Sequence, residues 1–183
     1  MRVVQVTRFG DPDVLVPSEV PEPVAGPGQV VVDVTAEDFD AIMDLNVRSA
    51  FFVVQSVTRR MIAAGRSGTI INMSSQMGHV GSARRSVYCA SKWALEGFTR
   101  ATAIELAPHQ IRINTLCPTF VETPMTKTFF DNAEFKADVL SRIKLGRLGK
   151  VEDLMGAIVF LASDASALMT GSSIVVDGGW TAD

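Results

Sequence analysis

The sequence predicts an α/β fold, a parallel sheet with helices on both of its faces. Three observations carry this. Short apolar runs of β type, GTIINMSS (68–75), IRINTLCP (111–118) and SIVVDGG (173–179), recur along the chain. Stretches with helical periodicity separate them. The 183 residues suffice for one domain with a substantial core and are short for two. Strands alternating with helices are the pattern of a parallel sheet covered on both sides.

Taken in order, residues 1–35 differ from the rest. They hold Pro12, Pro17, Pro21, Pro23 and Pro27 of the 8 prolines, and two β-like runs, RVVQVTRF (2–9) and QVVVDV (29–34). Gly26, Pro27 and Gly28 make a turn before the second run. Short strands with turns and no helix are expected here. From Thr35 the period changes. Thr35 and Asp38 read as a capping box. Phe39, Ile42, Met43, Asn46, Ala50, Val53, Val54, Val57 and Met61 follow at helical spacing, and Gly65 is a stop. Asparagine is a poor helix former, so Asn46 inside this helix suggests that its amide or a freed backbone carbonyl is used. A second helix is expected from about Tyr88 to Ala107, ended by Pro108. Residues 119–150 read as loop with helical pieces, and Val151–Ser163 as a third main helix. The division expected is a β segment over 1–35 and a catalytic region over 36–183, compact as one domain.

Composition excludes several function classes. Apolar residues make up 47 % and charged residues 20 %, with a net charge of −3 and no long basic run. No nucleic-acid partner and no anionic membrane surface is expected. The longest apolar runs, AFFVVQSV and LMGAIVFLA, are too short or interrupted to span a bilayer. MRVVQVTRFGD offers no apolar export signal, so a cytoplasmic protein is expected. Cys89 and Cys117 are too few for a disulfide scaffold and are expected to be reduced thiols. His79 and His109 stand thirty apart without companions, and no metal site is expected.

The chemistry gathers around SVYCASKWALEG (86–97). In a parallel α/β sheet, sites form at the carboxyl ends of the strands. Ser74 and Ser75 end one strand, and Tyr88 and Lys92 open the following helix. Residues at i and i+4 share a helical face, so the lysine ammonium can approach the phenol. A nearby cation favours phenolate, which suits Tyr88 to general acid–base work. A serine hydroxyl at the strand end can donate to a substrate carbonyl oxygen as charge builds on it.

Residues 37–183 resemble the C-terminal part of a short-chain dehydrogenase/reductase. The resemblance rests on NVRSAFFVVQ from Asn46, GTIINMSS, YCASK, IRINTLCP and SIVVDGGW in that order, with thirteen residues from Ser75 to Tyr88. It implies a truncated Rossmann-like parallel sheet. It also implies roles: Asn46 anchors a proton-relay water, Ser75 polarises the carbonyl, Tyr88 exchanges the proton, and Lys92 tunes Tyr88 and contacts the nicotinamide ribose. CPTFVETPMT resembles the segment that meets the nicotinamide end, with Pro118, the Val121 backbone and the Thr123 hydroxyl as cofactor contacts. The implied cofactor is NAD or NADP. The implied partner is a small carbonyl, alcohol or ester, and Met77, Phe120, Met125, Phe129 and Phe130 hint that it is apolar. A homodimer or homotetramer is implied, built on the helices matching 38–64 and 88–107, where Ala90, Ala94, Gly97 and Ala101 permit close approach.

The Gly-x-x-x-Gly-x-Gly phosphate loop of that family does not stand anywhere in the sequence. Gly26 and Gly28 precede a strand, GRSG (65–68) joins a helix to a strand, and GHVG (78–81) follows the strand that carries Ser75. Weak or lost cofactor binding is expected from this. Residues 1–35 resemble instead the N-terminus of the quinone-oxidoreductase-like medium-chain dehydrogenases. The expectation is a join near 35–37, with residues 29–34 replacing a missing strand beside GTIINMSS and residues 2–9 beyond or antiparallel to it. Two other functions fit these residues: a cofactor-free esterase with Ser75 as nucleophile and Tyr88 and Lys92 as base, or an inactive oligomeric remnant.

Overall fold

The computed structural model describes residues 2–6, 15–19 and 34–182. Chain contacts divide it into two units, Met1–Val34 and Thr35–Asp183. In the first, strand β1 (Arg2–Val6) pairs antiparallel with β2 (Leu15–Glu19), Arg2 opposite Glu19 and Val6 opposite Leu15. β1 lies within the first expected β run. β2, LVPSE, was missed: Pro17 cannot donate to a ladder and reads against a strand, yet an edge position accepts it. Residues 29–33, expected as a substitute strand, lie outside the described residues. Val34 is exposed and belongs to no strand.

The second unit is built on a three-stranded parallel sheet, ordered β3 (Gly68–Met73), β4 (Ile111–Pro118), β5 (Ser173–Val176). The alternation of side chains along each strand feeds two cores. On one face Ile111 and Ile113 pack with Val54, Ala103 and Leu106, with Ile70 and Phe98 at the margin. These come from helices α2 (Ser49–Ala63) and α3 (Ser86–Leu106). On the other face Leu116 packs with Leu154 and Leu161 of α6 (Val151–Ala162), joined by Ile71, Ile158, Ile174 and Val176. Helices thus cover both faces, as the sequence predicts.

Arg112 ties the far end of α6 to β4. Its guanidinium donates to the carbonyls of Leu161 (3.1 Å), Ser163 (3.2 Å) and Met169 (3.3 Å) and to Ser166 Oγ (3.0 Å). The Leu161 and Ser163 carbonyls are among the groups the end of α6 leaves unpaired. Two residues along the same strand, the fully buried Asn114 donates to Met169 O (2.9 Å) and accepts from Ser172 N–H (3.0 Å).

One helix departs from its expected form. The segment after Thr35 is not one continuous α-helix. Thr35 caps α1 (Ala36–Met43) by accepting from Asp38 N–H, and a π-helical turn (Asp44–Arg48) separates α1 from α2. Between β4 and α6 the chain forms two short helices, α4 (Pro124–Lys127) and α5 (Ala133–Arg142). Among the described residues no helix is long and apolar enough to cross a membrane.

Candidate active site

Ser75 follows the end of β3, extended at φ −162° and ψ 158°, and caps the tight turn Gln76–Gly78. Its hydroxyl accepts from Met77 N–H (3.2 Å) and donates to Gln76 Oε1 (2.8 Å). The Gln76 amide then donates to Thr119 Oγ1 (3.2 Å), which ties the serine turn to the residue after β4. Ser75 and Gln76 are both buried. Gly78 in this turn is closely packed: a Cβ would meet Glu96 Cγ at 3.0 Å and Lys92 O at 3.2 Å.

Tyr88 and Lys92 lie in the first turns of α3, as i and i+4 spacing requires. The Lys92 Nζ stands 5.5 Å from the Tyr88 ring centroid and donates to Met73 O (3.2 Å), the last carbonyl of β3. Lys92 is buried. Burial lowers its pKa from the ordinary lysine value, and the neighbouring Cys117 and Glu96 only partly oppose this. The Tyr88 phenol is half-buried.

Asn46 occupies the π-helical turn. Its amide donates to Ser91 Oγ (3.0 Å), and Ser91 Oγ donates to Tyr88 O (2.7 Å). This widened turn accounts for a polar residue mid-helix, because a π-turn shifts the backbone ladder and frees carbonyl groups. The structure therefore brings Asn46, Tyr88 and Lys92 onto one connected patch, with Lys92 reaching back to the end of β3, two residues before Ser75.

Of the five expected cofactor contacts, Tyr88 and Lys92 lie on α3, and Pro118, Val121 and Thr123 lie at or just after the end of β4. Pro118 is its last residue. Val121 forms a parallel bridge with Gly149 through Glu122 N–H and Phe120 O, so its own N–H and C=O face away from Gly149; the carbonyl accepts from Thr126 Oγ1 (2.6 Å). Thr123 caps α4: its hydroxyl accepts from Thr126 N–H (3.2 Å), and Thr126 Oγ1 accepts from Thr123 N–H (2.9 Å). A cleft of about 510 Å³ opens beside Thr123, lined also by Glu122, Lys127, Phe130 and Leu148.

The apolar loop residues divide. Met77 is buried, and Phe120 and Phe130 pack with Phe135 and Trp180 around Val139 and Ile143. That aromatic cluster belongs to the scaffold and lends no support to an apolar substrate. Met125 and Phe129 remain exposed.

Sequence reasoning missed a buried polar cluster beneath Lys92. Glu96, one turn further along α3, accepts from Thr115 Oγ1 (2.9 Å), Ser173 Oγ (2.5 Å) and Cys117 Sγ (3.3 Å). Burial would raise its carboxyl, but these donors hold it below the ordinary carboxylate value. Burial, with Glu96 beside it, pushes the Cys117 thiol up to about 12. His79 Nε2 lies 3.4 Å from Cys117 Sγ, so His79 has the companions that the sequence did not reveal. The glutamate's four-residue offset from Lys92 was the one available signal; its partners lie 19 to 77 residues away in the chain.

The esterase reading gains no support. Ser75 gives its proton to Gln76, and no hydrogen bond joins it to Tyr88 or Lys92 among the described residues.

A parallel α/β sheet with a serine at one strand end and a Tyr-x-x-x-Lys pair opening the next helix defines a class of nucleotide-dependent oxidoreductases, and comparison with known proteins agrees. A family model described as enoyl-(acyl carrier protein) reductase matches residues 5–181. L-xylulose reductase of Bos taurus is 42 % identical over 154 residues, 84 % of this chain and 63 % of that protein. The 2-dehydro-3-deoxy-D-gluconate 5-dehydrogenase of Escherichia coli K12 is 41 % identical over 151 residues, 82 % of this chain and 60 % of that protein. A crystal structure of a gluconate 5-dehydrogenase from Burkholderia cenocepacia, in complex with NADP and tartrate, superposes with a TM-score of 0.79 at 35 % identity over 82 % of this chain and 59 % of that one. The chain belongs to the short-chain dehydrogenase/reductase family. It spans less than two thirds of the length of these relatives. The family match starts at residue 5, inside the proline-rich segment, and none of these relatives is a medium-chain dehydrogenase.

Proposed function

We propose that residues 36–183 form the catalytic region of an oxidoreductase that interconverts a carbonyl and an alcohol on a small molecule, with NAD or NADP. The observation that carries this reading is the Lys92 ammonium, 5.5 Å from the Tyr88 ring and anchored on Met73 O, beside the turn that holds Ser75.

The residues at the nicotinamide end suit that group. Lys92 has donors left after its bond to Met73 O, Tyr88 lies within its reach, and the Val121 backbone and Thr123 stand at the end of β4. When bound, the nicotinamide supplies or accepts hydride. Ser75, released from Gln76, donates to the substrate oxygen and stabilises the charge that develops there. Tyr88 gives its phenolic proton to that oxygen in reduction and takes it back in oxidation. The Lys92 cation stabilises phenolate and binds ribose hydroxyls. Asn46, held through Ser91 to the carbonyl of Tyr88, positions a water that resupplies the proton. No glycine-rich loop stands in the sequence to cradle a pyrophosphate, so affinity is expected to be low.

Residues 1–35 fall under this reading as a separate β segment resembling medium-chain dehydrogenases. The family match from residue 5 weighs against that origin. A homodimer or homotetramer through α2 and α3 belongs to the same reading. Ala90, Gly97 and Ala101 are exposed on α3 together with Trp93 and Ile104, and Phe51, Phe52, Val53 and Val57 are exposed on α2.

Calorimetric titration with NADH and NADPH tests the reading. Binding tighter than about 100 μM, roughly −5.5 kcal/mol, followed by carbonyl-dependent loss of reduced-cofactor absorbance, is the expected support. No heat at millimolar cofactor overturns it for this chain.

A further inference from the structure

We propose that His79, Glu96 and Cys117 form a binding site for a divalent transition-metal ion, zinc being the best match to their chemistry. The site does not depend on the proposed reaction. His79 Nε2, Cys117 Sγ and the Glu96 carboxylate all lie within 4.8 Å of one another. The individual separations are 3.4 Å from Nε2 to Sγ, 3.3 Å from Sγ to Oε1, and 3.9 Å from Nε2 to Oε2. Ligands at about 2.0–2.3 Å around a tetrahedral zinc are spaced about 3.4–3.6 Å apart. The 3.3 and 3.9 Å separations run to different oxygens of the Glu96 carboxylate, so a side-chain adjustment on the order of an ångström closes the set onto one ion.

The chemistry agrees with the spacing. Imidazole nitrogen, thiolate sulfur and carboxylate oxygen are the three ligand types zinc takes. One thiolate and one carboxylate balance a divalent charge. Thr115 Oγ1 and Ser173 Oγ already hold the carboxylate in place, the outer support a metal ligand requires. Glu96 is 3 % and Cys117 0 % exposed, whereas the His79 side chain is 24 % exposed and marks the entry path.

A second observation points into the same spot. Ser74 Oγ is the one buried side-chain oxygen or nitrogen among the described residues without a well-formed hydrogen bond. Ser74 is 4 % exposed, and its hydroxyl stands beside the Glu96 carboxylate and the Cys117 thiol. A buried hydroxyl whose only partners are poorly aligned is costly. An ion at the cluster, or its bound water, would give it a partner. On binding, the Cys117 proton leaves to solvent and its hydrogen bond to Glu96 is replaced by the metal bonds. The ion would then join the loop after β3, helix α3 and strand β4 at one point.

The full chain, stripped with chelator, is titrated with Co²⁺ as a spectroscopic probe and then with Zn²⁺. One equivalent of Co²⁺ should bind with a thiolate-to-cobalt charge-transfer band in the near ultraviolet, and Zn²⁺ should abolish it. Cys117→Ser should lose the band, Cys89→Ser should keep it, and His79→Gln should weaken binding at least about tenfold. If Cys117→Ser does not fold, as judged by circular dichroism, the partly exposed His79 carries the test. No band at millimolar Co²⁺, or a band unchanged in His79→Gln, overturns the proposal.

Discussion

Lys92 serves two ends that conflict. Its charge is what the proposed chemistry needs, and burial disfavours that charge. A lysine whose folded pKa lies below its unfolded value costs stability at pH below the lowered value. That cost fades as pH rises towards the ordinary lysine range. Lys92→Met removes the buried charge at similar volume. It is expected to abolish turnover while leaving stability unchanged or raising it by roughly 0.5–2 kcal/mol, read from urea melts. A clear loss of stability would show that the bond to Met73 O outweighs the burial cost. Tyr88→Phe is expected to lower kcat by on the order of 100-fold or more with little change in cofactor affinity, measured by steady-state kinetics and calorimetry. The Tyr88–Lys92 pair was legible because helical spacing alone brings i and i+4 together. Gln76, which holds the Ser75 hydroxyl, and Glu96, which faces Cys117, were not: each acts through a contact that the folded sheet creates.

At the level of elements, β4 matched its expected limits, Ile111 to Pro118, because an apolar run bounded by Gln110 and Thr119 admits little else. LVPSE and the interruption at Asp44–Arg48 escaped the sequence, the first because proline argues against a strand and the second because a π-turn has no side-chain period of its own. The strongest tie between elements is Arg112, four hydrogen bonds from one guanidinium to the end of α6 and the turns after it. Charged hydrogen bonds of this kind contribute about 1.5–3 kcal/mol each when the partner carbonyls are otherwise stranded, though not additively. Arg112→Ala should therefore lower unfolding free energy by roughly 2–4 kcal/mol. Arg112→Lys should recover less than half of this, since an ammonium cannot span the same carbonyls as a planar fork. Equal stability of the two variants would place the effect in packing of the side-chain stem.

For the whole molecule, acid sensitivity follows from two carboxylates. Burial alone would raise both, but hydrogen bonds hold Glu96 and Asp177 below their ordinary values; for Asp177 the donors are Thr181 and the Gly179 N–H. A depressed carboxylate contributes stability that is full above its unfolded value, near about 4, and is lost as pH falls through the folded one. Melting temperature should be flat with respect to these groups above that value and fall below it; Asp177→Asn should flatten the acid limb. Assembly is a second whole-molecule property. Ile104→Glu on the exposed face of α3 is expected to convert an oligomer to a monomer, read by sedimentation, and an unchanged mass would move the interface elsewhere.

The five-residue turn Asp44–Arg48 fixes how this chain tolerates changes of length. Removing one residue there would let α1 and α2 run as a single regular helix, which local energetics favour. Everything downstream would also turn by about 100° around the axis, carrying Val54 and Thr58 off the sheet and Asn46 away from Ser91. A single-residue deletion between 44 and 48 should thus be far more damaging than one among the exposed residues of α5, an asymmetry that a scan of one-residue deletions would expose.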